Sequence, residues 1–213
     1  MTIKWLGHSC FLLTSQEGTR IVTDPFDETV GYRVEAIEAE IVSTSHEHYD
    51  HNNISIIKGD AKHIKGAGKV RIGDIEVTSV ESFHDECKGK KRGKNYIFKF
   101  GIDNINICHL GDLGHVLNRK QLEEIGKVDI LLVPVGGIYT IDYNEAYEVV
   151  ELIGPSVVIP MHYKTPALSF ELDSADKFLE KMGKWEHTNK QEIMLTKDKI
   201  GRDRQVLVLN YTQ

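Results

Sequence analysis

Short apolar runs punctuated by glycine or aspartate dominate the first hundred residues of this chain. Runs of four to eight β-branched and aromatic residues between such breakers are typical of strands. The pattern predicts strands over residues 3–6, 10–13, 20–23, 41–44, 69–80, 96–100 and 105–108. The first half of the chain should therefore be mainly β-sheet.

The second half alternates, and its helices carry recognisable start signals. Asn118 followed by Gln121 resembles a capping box, in which the two side chains satisfy each other's backbone N–H groups. Asp142 with Glu145 predicts a second helix, which Gly-Pro after Ile153 should end. A third helix is predicted to start at Asp173, because apolar positions recur at helical spacing after it.

Two continuous apolar runs, over residues 130–133 and 157–159, indicate strands buried on both faces. Early strands followed by strand–helix units predict an α/β fold, with sheets packed together and helices outside. No proline- or serine-rich linker interrupts the pattern. We therefore expect one domain over residues 1–213.

Composition narrows the class of protein. The chain is 40% hydrophobic and 27% charged, as in ordinary globular proteins. Its net charge of -6 argues against a broad nucleic-acid-binding surface, where a basic face is expected. The three cysteines lack Cys-x-x-Cys spacing, so a reducing interior is favoured over a disulfide framework. With no apolar run long enough for a membrane span and no targeting segment evident, we expect a cytoplasmic protein.

The segment His46-Glu47-His48-Tyr49-Asp50-His51 follows the predicted strand over residues 41–44. In an extended stretch, His46 and His48 project to the same side and can share one ion. Asp50 and His51 come later and can face a second ion. Imidazole together with carboxylate suits zinc, and also manganese, iron or nickel.

This segment resembles the signature of the metallo-β-lactamase superfamily, whose fold is a four-layered αβ/βα sandwich with the metals at one edge. Further matches in the expected order are Thr23-Asp24-Pro25, Ser82-Phe83-His84-Asp85, Leu110-Gly111-Asp112 and Pro160-Met161-His162-Tyr163. Trp5-Leu6-Gly7-His8 resembles the start of the subgroup that contains ascorbate-6-phosphate lactonases and N-acyl phosphatidylethanolamine phospholipases.

The resemblance implies two divalent metal ions, with zinc preferred. One metal would be held by His46, His48 and His84, and the other by Asp50, His51 and His162, with Asp112 bridging both. Two cations about 3.5–4 Å apart can hold a water between them and lower its pKa toward ~7. We therefore expect a dinuclear metal-dependent hydrolase that attacks a small-molecule ester, lactone, amide or phosphodiester with metal-bound hydroxide.

Three residues are candidates for a catalytic role beside the metals: Asp50 could orient the water, His8 could contact substrate, and His115 could donate a proton. Asp24 is predicted to fix the tautomer of a ligand histidine. His109 is expected to be structural.

Other functions stay open on the same residues. A nucleic-acid-processing phosphodiesterase is the main alternative, although the net charge disfavours it. A diiron redox protein is less favoured, because similar proteins carry glutamate at the position of His48 and attach a flavin domain. The basic run over residues 88–94 could attract anionic substrates, but we favour a solvated loop. The substrate's identity and the oligomeric state are left open.

Overall fold

The computed structural model describes residues 1–33, 35–201 and 203–212. Sixteen strands are assigned in these residues. They are β1 (Thr2–Gly7), β2 (Cys10–Thr14), β3 (Arg20–Thr23), β4 (Ile37–Glu38), β5 (Ile41–Ser43), β6 (Ile57–Lys58), β7 (Lys62–Ile64), β8 (Gly68–Ile72), β9 (Ile75–Phe83), β10 (Lys94–Ile102), β11 (Ile105–His109), β12 (Ile130–Pro134), β13 (Val157–Met161), β14 (Glu186–His187), β15 (Glu192–Met194) and β16 (Gln205–Val208).

The α-helices are α1 (Arg119–Ile125), α2 (Tyr143–Ile153) and α3 (Asp176–Met182), and short 3-10 turns cover Glu28–Val30, Ile54–Ile56 and Lys197–Lys199. Over the described part of the chain, none of the helices combines the length and the hydropathy needed to cross a bilayer.

Two large sheets pack face to face. The first has the strand order β15-β1-β2-β3-β5-β7, and the second has the order β14-β16-β13-β12-β11-β10-β9-β8. Trp5 and Phe11 of the first sheet lie in one buried cluster with Phe98 and Phe100 of the second. The predicted α/β sandwich of packed sheets is confirmed.

The outer faces of the two sheets are covered differently. Helix α1 packs against β9 and α2 against β12, so both lie on the eight-stranded sheet. On the six-stranded sheet, alternate residues such as Val22 turn away from the main core. They pack in a second cluster with Phe26, Tyr32 and Leu168 from the surrounding loops. Loops and 3-10 turns therefore supply much of this outer layer.

The predicted capping box at Asn118 is present, and the predicted helix start at Asp142 is also a capping box. Asn118 accepts a hydrogen bond from the Gln121 N–H while the Gln121 side chain accepts one from the Asn118 N–H, and Asp142 does the same with Glu145. The third helix begins at Asp176 rather than at Asp173. The predicted start is wrong because the Asp173 carbonyl, which would accept the first hydrogen bond of such a helix, accepts the N–H of Lys164 at 2.9 Å instead.

The predicted strand over residues 69–80 is in fact two strands. β8 and β9 pair antiparallel through Ile72 and Ile75, with a turn at Gly73, whose φ of 59° lies in the left-handed region. The apolar alternation shifts phase at Gly73-Asp74, a two-residue hairpin signal that the single predicted strand overlooked.

The part of the chain after residue 163, where the sequence offered no recognisable motif, adds strands to both sheets. β15 pairs antiparallel with β1, and β16 pairs parallel with β13. The tail thereby extends one sheet beyond β1 and the other beyond β13.

Candidate metal centre

The candidate residues lie at the carboxyl ends of strands that point the same way. Antiparallel pairing through β2 makes β1 parallel to β3, which is also parallel to β5. Pairing through β10 and β12 likewise makes β9, β11 and β13 parallel to one another. Within three residues of these six strand ends come His8, Asp24, His46, His84, Asp112 and His162. Parallel strands thus deliver side chains from distant parts of the chain to one edge.

All seven residues predicted to bind metal meet at this edge. Their candidate donor atoms form three groups, each with all atoms within 4.8 Å of one another. The groups are His46, His48 and His84; His8, Asp50, His51 and His162; and His46, His51 and Asp112. The first group is the predicted set for one ion, and the second is the predicted set for the other with His8 added.

Asp112 lies between the two groups. Its Oδ2 atom is 3.1 Å from Nε2 of His162, 3.2 Å from Nε2 of His51 and of His84, and 3.9 Å from Nε2 of His46. Burial alone would raise the pKa of this carboxyl, but the surrounding imidazoles, His162 foremost, hold it well below its usual range. Asp112 is therefore a carboxylate that faces imidazoles of both groups.

Asp24 orients two of the histidines. Its Oδ2 accepts a hydrogen bond from Nδ1 of His51 at 2.9 Å and one from the hydroxyl of Ser45 at 2.5 Å. Because the Ser45 hydroxyl donates its proton to Asp24, it accepts one from Nδ1 of His46, which lies 3.0 Å away. We therefore assign both imidazoles a proton on Nδ1, which leaves their Nε2 lone pairs free to bind a metal.

This tautomer makes the centre chemically suited to a cation. With His51 in this neutral tautomer, Nε2 of His51 and Oδ2 of Asp112 would both be acceptors although they lie 3.2 Å apart, so a proton or a metal ion is needed between them. Burial alone would lower the pKa of His51, but Asp112 and Asp50 outweigh it and raise that pKa well above its usual value. The site thus favours positive charge at this point. Imidazole nitrogens with carboxylate oxygens are the donors that zinc takes, so the residues fit a divalent metal ion.

His8 differs from the other histidines of the centre. Its ring is fully buried, lies 4.2 Å from that of His162 between centroids, and places Nε2 3.3 Å from Oδ2 of Asp50. Burial, with the nearby His162, lowers the pKa of His8 to about 4. A neutral His8 with its proton on Nε2 can donate to Asp50 and so orient that carboxylate.

His115 and His109 lie outside the three groups. Nδ1 of His115 donates to the carbonyl of Val116 at 2.9 Å, and its Nε2 accepts from the N–H of Phe83 at 3.3 Å. His109 donates from Nε2 to the carbonyl of Ser9 at 2.8 Å. The structure gives both rings backbone partners, and it does not bring His115 to the cluster where its predicted catalytic role would require it.

Several supporting residues escaped the sequence analysis. Asn95 accepts a hydrogen bond from the Asp112 N–H at 2.9 Å and donates to the carbonyl of Leu110 at 2.8 Å, which holds the turn before the carboxylate. A Cβ on Gly114 would lie 2.3 Å from the carbonyl carbon of His84, so only glycine fits there. The pair of glycines after β11, Gly111 and Gly114, was the available signal, whereas Asn95 gave none.

A cavity of about 590 Å³ opens over the centre. Among its lining residues are His48, Asp50, His84, Asp112 and His162, together with Glu47, Tyr49, Arg92, Tyr139 and Phe170. His48 is exposed, whereas His46 and His51 are buried, so the cluster is accessible from the His48 side. The sequence analysis did not anticipate the aromatic residues Tyr139 and Phe170.

Comparisons with known proteins identify the family to which the fold belongs. A family model described as a beta-lactamase superfamily domain matches residues 2–162. A UPF0173 metal-dependent hydrolase of Carboxydothermus hydrogenoformans is 30% identical over 78% of this chain and 85% of its own length. One of Nanoarchaeum equitans is 30% identical over 93% of this chain and 98% of its own length. The solved structures include a candidate zinc-dependent hydrolase of the metallo-β-lactamase superfamily from Thermotoga maritima, which is 41% identical to this chain in sequence. The two structures align with a TM-score of 0.83 over 98% of this chain and 97% of that chain.

Proposed function

We propose that this chain, which belongs to the metallo-β-lactamase superfamily and is a metal-dependent hydrolase, uses two divalent metal ions, with zinc preferred. Its substrate would be a small molecule. The scissile bond would be that of an ester, lactone, amide or phosphodiester. The resemblance of Trp5-Leu6-Gly7-His8 to the lactonase and phospholipase subgroup keeps lactones and phosphodiesters in this group of candidates.

One observation carries the proposal: Nε2 of His51 lies 3.2 Å from Oδ2 of Asp112 inside a buried cluster, while Nδ1 of the same ring is bonded to Asp24. A cation between the two atoms, either a proton or a metal ion, satisfies both. The cluster has more donors than one ion uses alongside a water. We assign one ion to His46, His48 and His84, the other to Asp50, His51 and His162, and the bridging position to Asp112.

When bound, such a pair of cations lowers the pKa of a shared water toward ~7 and polarises the substrate's carbonyl or phosphoryl oxygen. Asp50 lines the cavity, with its side chain 14% exposed, so its carboxylate can accept a hydrogen bond from the attacking water. His8 donates to Asp50 and positions it. We give His115 no part in the chemistry, because both of its ring nitrogens are hydrogen-bonded to backbone.

The shape of the site supports a small substrate. A cavity of about 590 Å³ is in the range of small-molecule pockets, ~300–1,000 Å³. The tail adds β15 to the first sheet and β14 and β16 to the second, which supports treating residues 1–213 as one hydrolase domain.

Elemental analysis combined with a substrate panel tests this function. Protein purified without added metal, and then reconstituted with zinc, manganese, iron or nickel, should hold close to two ions per chain. The same samples should hydrolyse at least one member of a panel of lactones, esters, amides and phosphodiesters. Failure to retain any metal after reconstitution would exclude the proposed mechanism, and turnover of RNA alone would favour a nuclease.

A further inference from the structure

Arg92 presents a charge to the cavity without a carboxylate partner. It is half-buried, lines the cavity over the metal centre, and donates from its guanidinium to the carbonyl of Ile138 at 3.3 Å. The guanidinium carbon lies 5.6 Å from the centre of the Tyr139 ring. Among the described residues, no carboxylate oxygen lies within 4.0 Å of this guanidinium. Its remaining N–H donors are therefore available to a ligand.

The other basic residues of the same loop are placed differently. Lys91 forms an ion pair with Glu86, and Lys94 forms one with Glu81 at 2.7 Å. Lys88 and Lys90 are exposed and do not line the cavity over the metals. The prediction of a solvated loop therefore holds for these lysines but not for Arg92.

The loop that carries Arg92 is rigidly held. The buried carboxylate of Asp85 accepts backbone N–H groups of Cys87, Gly89, Lys91 and Arg92, each at 2.8 Å. Burial opposes ionisation of Asp85, but the four donors outweigh it and lower the pKa to about 2. A side chain mounted on a fixed backbone loses less freedom when it binds a ligand.

A second cavity adjoins the first at Arg92. It measures about 440 Å³ and shares Glu47, His48 and Arg92 with the cavity over the metals. Lys65 and Lys94 also line it, so this end is the more basic. Lys94 is already paired with Glu81, and Lys65 lies 4.0 Å from Glu47. Arg92 is thus the cation at this junction that lacks an acidic partner among the described residues.

We propose that Arg92 recognises an anionic group of the substrate, a carboxylate or a phosphate, while the scissile bond lies over the metal centre. The planar guanidinium can bind either group through two parallel hydrogen bonds. The apolar part of such a substrate would lie against Tyr139 and Phe170, which line the first cavity. This inference rests on the proposed hydrolase function and narrows its substrate class to small anionic molecules.

Binding of three matched aromatic probes tests the inference without turnover. Benzoate, phenylphosphonate and neutral benzamide are titrated calorimetrically into wild type, Arg92→Gln, Arg92→Lys and the control Lys90→Gln. Arg92→Gln should weaken binding of at least one anion by about ten- to hundredfold and leave benzamide unchanged, because a charged hydrogen bond is lost. Arg92→Lys should bind the anions with intermediate affinity, because lysine keeps the positive charge but lacks the planar guanidinium that makes two parallel hydrogen bonds. The anion whose binding weakens more shows whether Arg92 recognises a carboxylate or a phosphate group.

The titrations use both metal-loaded and metal-free protein, so that the effect of Arg92 is separated from anion binding to the ions. Equal anion affinities in wild type and Arg92→Gln, or wild-type affinity for both anions no greater than for benzamide, would overturn the inference. RNA cleavage that Arg92→Gln abolishes, without selective binding of small anions, would also overturn it and assign the residue to a nucleic acid. If the wild type holds no metal, the proposed function fails, and the metal-free titrations still decide the role of Arg92.

Discussion

The imidazole of His51 donates from Nδ1 to Oδ2 of Asp24 across 2.9 Å, and both side chains are inaccessible to solvent. This bond determines which nitrogen of His51 faces the metal centre. Through the Ser45 hydroxyl, the same carboxylate also determines the tautomer of His46. One aspartate thus prepares a ligand in each of the two proposed metal sets.

Replacing Asp24 with asparagine should lower metal affinity by about ten- to hundredfold, because an amide can hold neither imidazole in the required tautomer as strongly. Competition with a chelator measures the affinity. Asp27→Asn is the matched control, since Asp27 lies three residues away, is partly exposed and caps only a short 3-10 turn. Equal affinities in the two variants would remove Asp24 from its positioning role.

Asp112→Ala should lose at least one metal and reduce turnover by orders of magnitude, with the fold largely retained. Asp112→Asn should be nearly as harmful, because a neutral amide cannot offset two cations. Asp129→Asn provides the control: Asp129 is another buried carboxylate, bonded to Lys197 at 2.8 Å and to the Asn106 N–H at 2.9 Å, away from the centre. The Asp129→Asn variant should still bind two metal ions per chain, as measured by elemental analysis. Two metals and near-normal turnover in Asp112→Ala would contradict the bridging role.

Gly114→Ala should displace His84 and weaken metal binding, because the new Cβ would lie 2.3 Å from the His84 carbonyl carbon. Overpacking of this kind costs about 1–3 kcal/mol of unfolding free energy. At Gly101, by contrast, a Cβ would approach nothing closer than 3.6 Å. Neither glycine has a positive φ, so Gly101→Ala isolates the steric effect. Urea unfolding and metal titration of both variants measure it, and equal metal affinities would show that the Gly114 contact is relaxed elsewhere.

The stability that Asp85 contributes to the folded protein should be lost in acid. Its pKa is lowered to about 2 in the folded protein, from about 3.9 in an unfolded chain. A depressed carboxyl pKa contributes stability that is fully present above about pH 4 and is lost as the pH falls toward about 2. Asp85→Asn should therefore be less stable than wild type at pH 6, and the difference should shrink between about pH 4 and pH 2. Urea unfolding of metal-free protein across this range checks the trend, which a constant difference would refute.

Local patterns along the chain were enough to predict much of the fold. Strands such as β3 and helices such as α2 depend on apolar alternation, buried runs and caps between near neighbours, which the sequence displays directly. The segment from His46 to His51 marked the metal centre because several candidate ligands lie next to one another in the sequence, although the structure places them in bends and a turn rather than in the extended stretch that was expected. The hairpin between β8 and β9 was missed although Gly73-Asp74 signals it, because the turn has only two residues between apolar runs and falls within one predicted strand.

Only the tertiary structure decided how distant residues meet. Asp24, Ser45 and His51 form one hydrogen-bonded unit because β3 and β5 end side by side, and spacing along the chain does not reveal that they share a carboxylate. The position of Arg92 beside the candidate metal centre likewise depends on Asp85 holding its loop and on the loop that carries Tyr139. Such contacts follow from sheet pairing and close packing, which are set by the whole chain, whereas a sequence pattern records only what each segment prefers by itself.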